Sequence, residues 1–347
     1  MKDEGRGMKD ERCVFTSFVL RISSFVICCC LFFCSCGGQL HKDKFIVSGT
    51  YLEVISPYAA ASEIVYDEFR RLDKIFNFYD SESQISWLNH TYNKPVNVSE
   101  ELIEVLTIAK GINQATEGYF DVTLGALYSF WKNLIREGNI EELPSDVLVK
   151  NIQQQSGFNN IDIDSNNKRV TLKKEGLKID LSAIAKGYMV DKAVEKLKNN
   201  GIDSAIVNAG GDIYCLGKNR GKAWRVGIKN PYAKGIIEKQ VIVNKAIATS
   251  GGYEQYFNIG NRKFSHLVDV KSGFPVENDV LSVSVIADSC VIADGLATAF
   301  SVMGKDKVED FFDEQPYRVR SYIVIKDGEK KYIRVFGGII KNEENNS

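Results

Sequence analysis

Cysteine is nearly missing from most of this chain. Six of its eight cysteines (Cys13, Cys28, Cys29, Cys30, Cys34 and Cys36) fall in the first 36 residues, leaving only Cys215 and Cys290, 75 positions apart, in everything that follows. The body therefore holds neither a disulfide framework nor a Cys-x-x-Cys metal site. Proline is scarce too, at 6 in 347 residues, so collagen-like and Pro-rich classes are excluded. Neither sign of charge is in excess: 44 Lys and Arg face 45 Asp and Glu, a formal net charge of -1. Without a global basic field to hold a polyanion, nucleic acid is not an expected partner. What remains is 44% hydrophobic and 26% charged, an ordinary globular composition with room for one large domain or two.

The most apolar run lies near the start. No Lys, Arg, Asp or Glu occurs between Arg21 and Lys42, and FVICCCLFF (Phe25 to Phe33) follows Arg12 and Arg21. That is the pattern of a secretory signal, and the uncharged run up to Cys36 is shorter than the roughly 20 apolar residues of a spanning helix. The sequence FCSCGG after it resembles a bacterial lipobox, with small Ser35 preceding Cys36, although Phe33 and Cys34 replace the usual Leu and Ala-like residues. The opening MKDEGRGMKDER repeats itself and allows a start at Met8. The expected organisation is a signal peptide over 1–36 with lipidation at Cys36, a polar tether over 37–44, a body over 45–340 and a polar tail over 341–347. A lipid anchor on a bacterial membrane, with the body facing the periplasm or cell exterior, follows; a cleaved soluble form and an uncleaved anchor are the alternatives.

No repeat or linker divides the body. Ser56-Pro57 reads as an N-cap and N1 pair opening a helix to about Asn77, Ser99 as the cap of a second, and Ala185 to Asn200 as a third that stops at Gly201. Strands are expected at Gly157–Ile163, Arg169–Leu172, Ser204–Asn208, Trp224–Ile228, Lys239–Val243, Val280–Ala287 and Tyr317–Ile325, the last in a hairpin with Tyr332–Val335 across Asp327-Gly328. Their interleaving without a regular βαβ rhythm predicts an α+β fold with mixed, largely antiparallel sheets and packed helices.

Polar residues gather in seven segments: YDSESQISWLN (79–89), GYFDVTLGAL (118–127), DLSAIAKGYMVD (180–191), VNAGGDI (207–213), ATSGGYE (248–254), FSHLVDVKSGFPV (264–276) and ADGLATAFSVMG (293–304). Singly, each has a plain structural reading: Gly210-Gly211 as a tight turn, His266 as a core histidine, Lys186 as a solvated charge. Asp294 and Thr298 are more specific, because on a helix their i, i+4 spacing aims a carboxylate and a hydroxyl at one point. Such hard oxygen ligands suit Mg²⁺, which keeps few protein ligands and fills its octahedron with waters and substrate phosphates.

Together and in this order, the seven segments resemble the ApbE family, the FAD:protein FMN transferases. The family's D-x-x-x-x-A-K-G-x-x-x-D is matched by Asp180 to Asp191, its N-x-G-G-D by Asn208 to Asp212, its A-T-S-G by Ala248 to Gly251, and its A-D-x-x-x-T by Ala293 to Thr298. The resemblance implies that Ser48 (where the family usually has Met), Tyr79, Tyr119, Phe120, Asp121, Asp180, Lys186 and the backbone at Val268 contact FAD. It implies Mg²⁺ on Asp294 and Thr298 with carbonyls near Ala183 and Ala297. The reaction it implies moves FMN from FAD to a threonine hydroxyl of an acceptor protein, typically a subunit of a membrane redox complex, and releases AMP. A hydroxyl needs a base; His266 is the first candidate, followed by Asp212 and Asp269. Two departures fall on the acceptor side: SGGYEQ stands for the family's S-G-D-Y-E-R, placing Gly252 and Gln255 at an acid and an arginine, and DVKSG (Asp269 to Gly273) stands for DPRTG. A Mg²⁺-dependent FAD pyrophosphatase and a non-catalytic flavin-binding lipoprotein are the competing readings.

Overall fold

The structure, a computed structural model, describes residues 39–137, 142–251, 256–259, 262–314, 317–328 and 330–337. The expected signal peptide, Cys36 and the tail over 341–347 lie outside those residues, as do Gly252 and Gln255.

In chain order the first half comprises β1 (His41–Val47), β2 (Thr50–Ser56), α1 (Ala61–Phe76), α2 (Gln84–Asn89), β3 (Val96–Asn97), α3 (Glu100–Ala115), α4 (Gly125–Glu137), α5 (Asp146–Gln153), β4 (Ile161–Asp164) and β5 (Arg169–Leu172). The second half comprises α6 (Ala185–Asn199), β6 (Ala205–Ala209), β7 (Asp212–Leu216), β8 (Trp224–Lys229), β9 (Ile236–Ile242), β10 (Lys245–Ser250), β11 (Tyr256–Ile259), β12 (Arg262–Ser265), β13 (Val280–Ala287), α7 (Cys290–Glu314), β14 (Arg320–Asp327) and β15 (Lys330–Phe336). Eight strands form one antiparallel sheet in the order β1-β2-β6-β7-β10-β13-β14-β15. The α+β expectation holds.

Inward residues of that sheet (Leu52, Val54, Val207, Ala248, Val283, Val285) bury against Phe69 and Leu72 of α1, Leu106 of α3, Val190 of α6 and Phe300 of α7. A second, smaller cluster joins Leu127 and Trp131 of α4 and Val149 of α5 to Phe264 and Val268. It fixes the segment after β12 onto α4.

Ser99 caps α3 as expected, accepting from the Leu102 N–H at 3.3 Å. Three expectations are corrected. The first concerns Ser56-Pro57: α1 begins only at Ala61. Ser56 ends β2, where its hydroxyl donates to the Ser204 carbonyl at 2.7 Å and accepts from the Tyr58 N–H at 3.1 Å, so it serves a strand-to-helix turn. The expected strand from Gly157 is a 3₁₀ turn over Phe158–Asn160 before β4, because Gly157 adopts φ 112°. The tether also ends sooner, since His41 to Lys44 belong to β1 and pair with Ser56 to Glu53. Lys42 and Lys44 both reach Glu53 at 3.1 Å; a charged edge strand reads as a polar leader because edges are kept charged.

One end of the large sheet gathers two motif turns. Ser48-Gly49 joins β1 to β2, and Gly210-Gly211 joins β6 to β7, with Ala209 opposite Asp212. Gly210 has φ 62°, and a Cβ there would lie 2.4 Å from Thr50 Oγ1, so glycine suits both the backbone and the space. Asn208 Oδ1 accepts from the Gly211 N–H at 3.0 Å and closes the turn. Antiparallel pairing of β7 with β10 brings Thr249 and Ser250 to the same end.

Candidate active site

The segment from Asp180 to Asp191 becomes the approach to α6 and its first two turns, packed against the start of α7. Gly187 is the point of closest approach, because a Cβ there would meet the Cys290 carbonyl at 2.5 Å and Asp294 Cβ at 2.8 Å. Its N–H donates to Asp294 Oδ2 at 3.0 Å. One turn on, the Asp191 carboxylate accepts from the N–H groups of Cys290 (2.7 Å) and Val291 (2.8 Å), capping α7 from a neighbouring helix. Burial pushes the Asp191 carboxyl up to about 6, and those two N–H bonds hold it down. Asp191, a motif residue that the resemblance left without a role, thus sets where α7 begins and where Asp294 stands. Asp191→Ala should lower stability by about 1–2 kcal/mol, the cost of losing a helix cap, and Asp191→Asn, which keeps one acceptor, by less; urea unfolding midpoints of the two variants check this.

Asp294 and Thr298 lie in helical register on α7, both nearly buried, as their spacing predicts. Lys186 of α6 is ion-paired with Asp212, the first residue of β7, and its Nζ is 3.6 Å from Asp294 Oδ2. This sets aside the plain reading of Lys186 as a solvated charge. Burial lowers its pKa, but the Asp212 and Asp294 carboxylates outweigh that and raise it, so it stays protonated. Burial, reinforced by the Asp212 charge, pushes the Asp294 carboxyl above the usual carboxylate range. A cation would relieve that cost. The donors suit a hard one: a carboxylate, a hydroxyl with no back-bond to α7 among the described residues, and the Ala183 carbonyl, two residues before α6 begins. Ala297 fits less well than the resemblance implies, because its carbonyl already accepts from Ser301 Oγ at 2.8 Å.

The residues expected around FAD form a neighbouring group. Asn89 grips the backbone of Ile179 from both sides, accepting its N–H at 2.7 Å and donating to its carbonyl at 2.8 Å. This holds Asp180, whose own N–H donates to the Val122 carbonyl at 2.8 Å, beside Asp121. Burial raises both carboxyls, although each accepts a hydrogen bond two residues on, from Ser182 and Thr123. Tyr128 of α4 lies among them; burial first, then the two carboxylates, raise its phenol, which also bonds the Val268 backbone. Lysines cover two of the expected tyrosines: Lys132 Nζ is 3.6 Å from the Tyr79 ring centroid and Lys271 Nζ 4.0 Å from that of Tyr119. Phe120 is a correction. Its side chain is 2% exposed and packed in the main core near Gly295, which leaves only its backbone to meet a ligand. Ser48 Oγ is buried with no hydrogen-bond partner among the described residues. Sequence reasoning missed Asn89, Tyr128 and Lys132; Asn89 does lie at the end of a flagged polar segment.

The profile of the ApbE family matches residues 47–323. The chain belongs to the ApbE family. It is 34% identical to the FAD:protein FMN transferase of Vibrio cholerae, over 85% of this chain and 90% of that one. The corresponding protein of Haemophilus influenzae is 32% identical, over 83% and 84%. Among solved structures, the ApbE protein of Thermotoga maritima superposes with a TM-score of 0.75 at 30% identity, covering 85% of this chain and 96% of that one.

Within this ApbE-family chain the three candidate bases separate. Asp212 is buried and committed to Lys186, and Asp269 Oδ1 accepts the Lys271 N–H at 2.8 Å within its own turn. His266 directly follows β12, half-buried, two residues before the Val268 backbone that Tyr128 holds. Its segment is anchored by Trp131 Nε1 donating to the Gly273 carbonyl at 2.9 Å and by the bridge between Val268 and Pro275.

Proposed function

We propose that this chain is a flavin transferase that moves the FMN half of FAD onto a threonine hydroxyl of an acceptor protein. The observation that carries the reading is Lys186 held between buried Asp212 and Asp294 beside hard oxygen donors, in a chain of a family whose named relatives are FAD:protein FMN transferases. Asp294, Thr298 and the Ala183 carbonyl would hold Mg²⁺, which supplies charge neutralisation on the pyrophosphate. Lys186 supplies a further positive charge to the same oxygens. The threonine oxygen bonds to the FMN-side phosphorus, the bond from that phosphorus to the bridging oxygen breaks, and AMP leaves with that oxygen. His266 accepts the hydroxyl proton, since a neutral imidazole is a competent base near neutral pH. Asp180, Asp121, Tyr128 and Tyr119 form the walls that orient FAD. Acceptors of this chemistry are threonine-bearing subunits of membrane redox complexes.

A second reading, FAD hydrolysis to FMN and AMP, is favoured by one observation: Gly252 stands where the family commonly has an acid. Incubation with FAD, Mg²⁺ and a threonine-bearing acceptor separates the two. Transfer gives covalent flavin fluorescence on the acceptor, hydrolysis gives free FMN with AMP, and a non-catalytic binder leaves FAD unchanged.

The same proposal places the body on the outer face of a bacterial membrane through a lipid on Cys36. Cys36→Ser should release the protein from the membrane fraction or leave the precursor unprocessed. Normal processing and lipid labelling of that variant would contradict the anchor.

A further inference from the structure

Asp212 and Asp294 come from different parts of the fold, β7 and α7, and both are closed off from solvent: their side chains keep 2% and 7% of their exposure. The Lys186 side chain between them keeps 31%. Lys186 is thus the least enclosed side chain of the three. One ammonium is shared between the two carboxylates. The donors that suit a cation, Asp294 with Thr298 and Ala183, share the Asp294 carboxylate with this lysine.

We propose that Lys186 is a built-in counter-ion that holds the cation's place at Asp294 and is released toward the incoming pyrophosphate when a divalent cation binds. The proposal rests on the reading above that Asp294 holds Mg²⁺. A divalent cation on Asp294 and an ammonium within 4 Å of the same oxygen repel strongly in a site shielded from water. The lysine is the partner that yields, because its charge sits at the end of four flexible methylenes and its side chain is the least enclosed of the three. Leaving Asp294, it can keep Asp212 or turn outward, where a pyrophosphate offers anionic oxygens. Cation and FAD then help each other: each offsets what the other's arrival leaves uncompensated, and by linkage the gain is equal in both directions. Without FAD, the lysine is a competitor of the metal.

Titration calorimetry with Mg²⁺ alone, on the full chain, tests this. Lys186→Met should bind Mg²⁺ about tenfold more tightly than wild type, because the competing charge is gone, while Lys186→Arg stays near wild type. FAD should strengthen Mg²⁺ binding in wild type and much less in the Met variant. A folded Lys186→Met protein that binds Mg²⁺ no more tightly than wild type overturns the proposal. Should that variant fail to fold, reductive methylation of wild type with peptide mapping decides: labelling of Lys186 must rise when Mg²⁺ is added, and unchanged labelling refutes the displacement. A wild type that takes up no Mg²⁺ defeats the cation site itself, whereas normal uptake with no effect of Lys186 defeats only the counter-ion.

Discussion

Asp294→Asn should lose Mg²⁺-dependent flavin transfer by on the order of 10²- to 10³-fold or more, the scale of removing a preorganised electrostatic group from a transition state, while the protein remains folded. The reason lies in what the carboxylate does without a metal. Buried and beside Asp212, it holds its charge at a cost that burial imposes and that Lys186 only partly offsets. Asparagine keeps an oxygen for the Gly187 N–H, 3.0 Å away in the native protein, and removes the charge. Stability should therefore be unchanged or higher, in contrast to a residue whose task is packing. Activity assays across Mg²⁺ concentration and thermal unfolding of the same sample check both halves. Thr298→Val should be milder, since a neutral hydroxyl gives a hard cation less than a carboxylate does. Wild-type transfer in Asp294→Asn, or transfer indifferent to EDTA, would contradict the assignment.

His266→Ala should slow transfer by roughly 10²- to 10⁴-fold, the effect of losing a general base, with FAD and Mg²⁺ affinity nearly intact. The expectation follows from the place of His266 directly after β12 and two residues before Val268, in a segment pinned by Trp131. Transfer rate, FAD affinity and melting temperature measured on one preparation separate the outcomes, because a structural histidine would lower the melting temperature and leave the rate. A stable variant with unimpaired transfer would contradict the base.

Much of this was legible in the sequence because local chemistry decided it. Ser99 as a cap, Gly210-Gly211 as a turn, Val280–Ala287 as a strand and Asp294 with Thr298 on one helix face all depend on residues within a few positions of each other. What escaped depends on partners distant in the chain. His41 to Lys44 look like a tether until Glu53 pairs with their lysines. Phe120 sits between two residues that read as ligand contacts, yet the packing of α3 against α7 buries it. Lys186 reads as solvated because its partners lie 26 and 108 positions away in β7 and α7. The last aspartate of the 180–191 segment was visible as a motif, but its task of capping a helix 99 residues downstream is a property of the fold alone.

The intact mass of an acceptor protein measures the central claim most directly. Incubated with this chain, FAD and Mg²⁺, a threonine-bearing acceptor should gain the mass of FMN less one water, in amounts equal to the AMP released, and the same acceptor with that threonine changed to alanine should gain nothing. AMP and free FMN appearing together, with no gain in acceptor mass, would contradict the account.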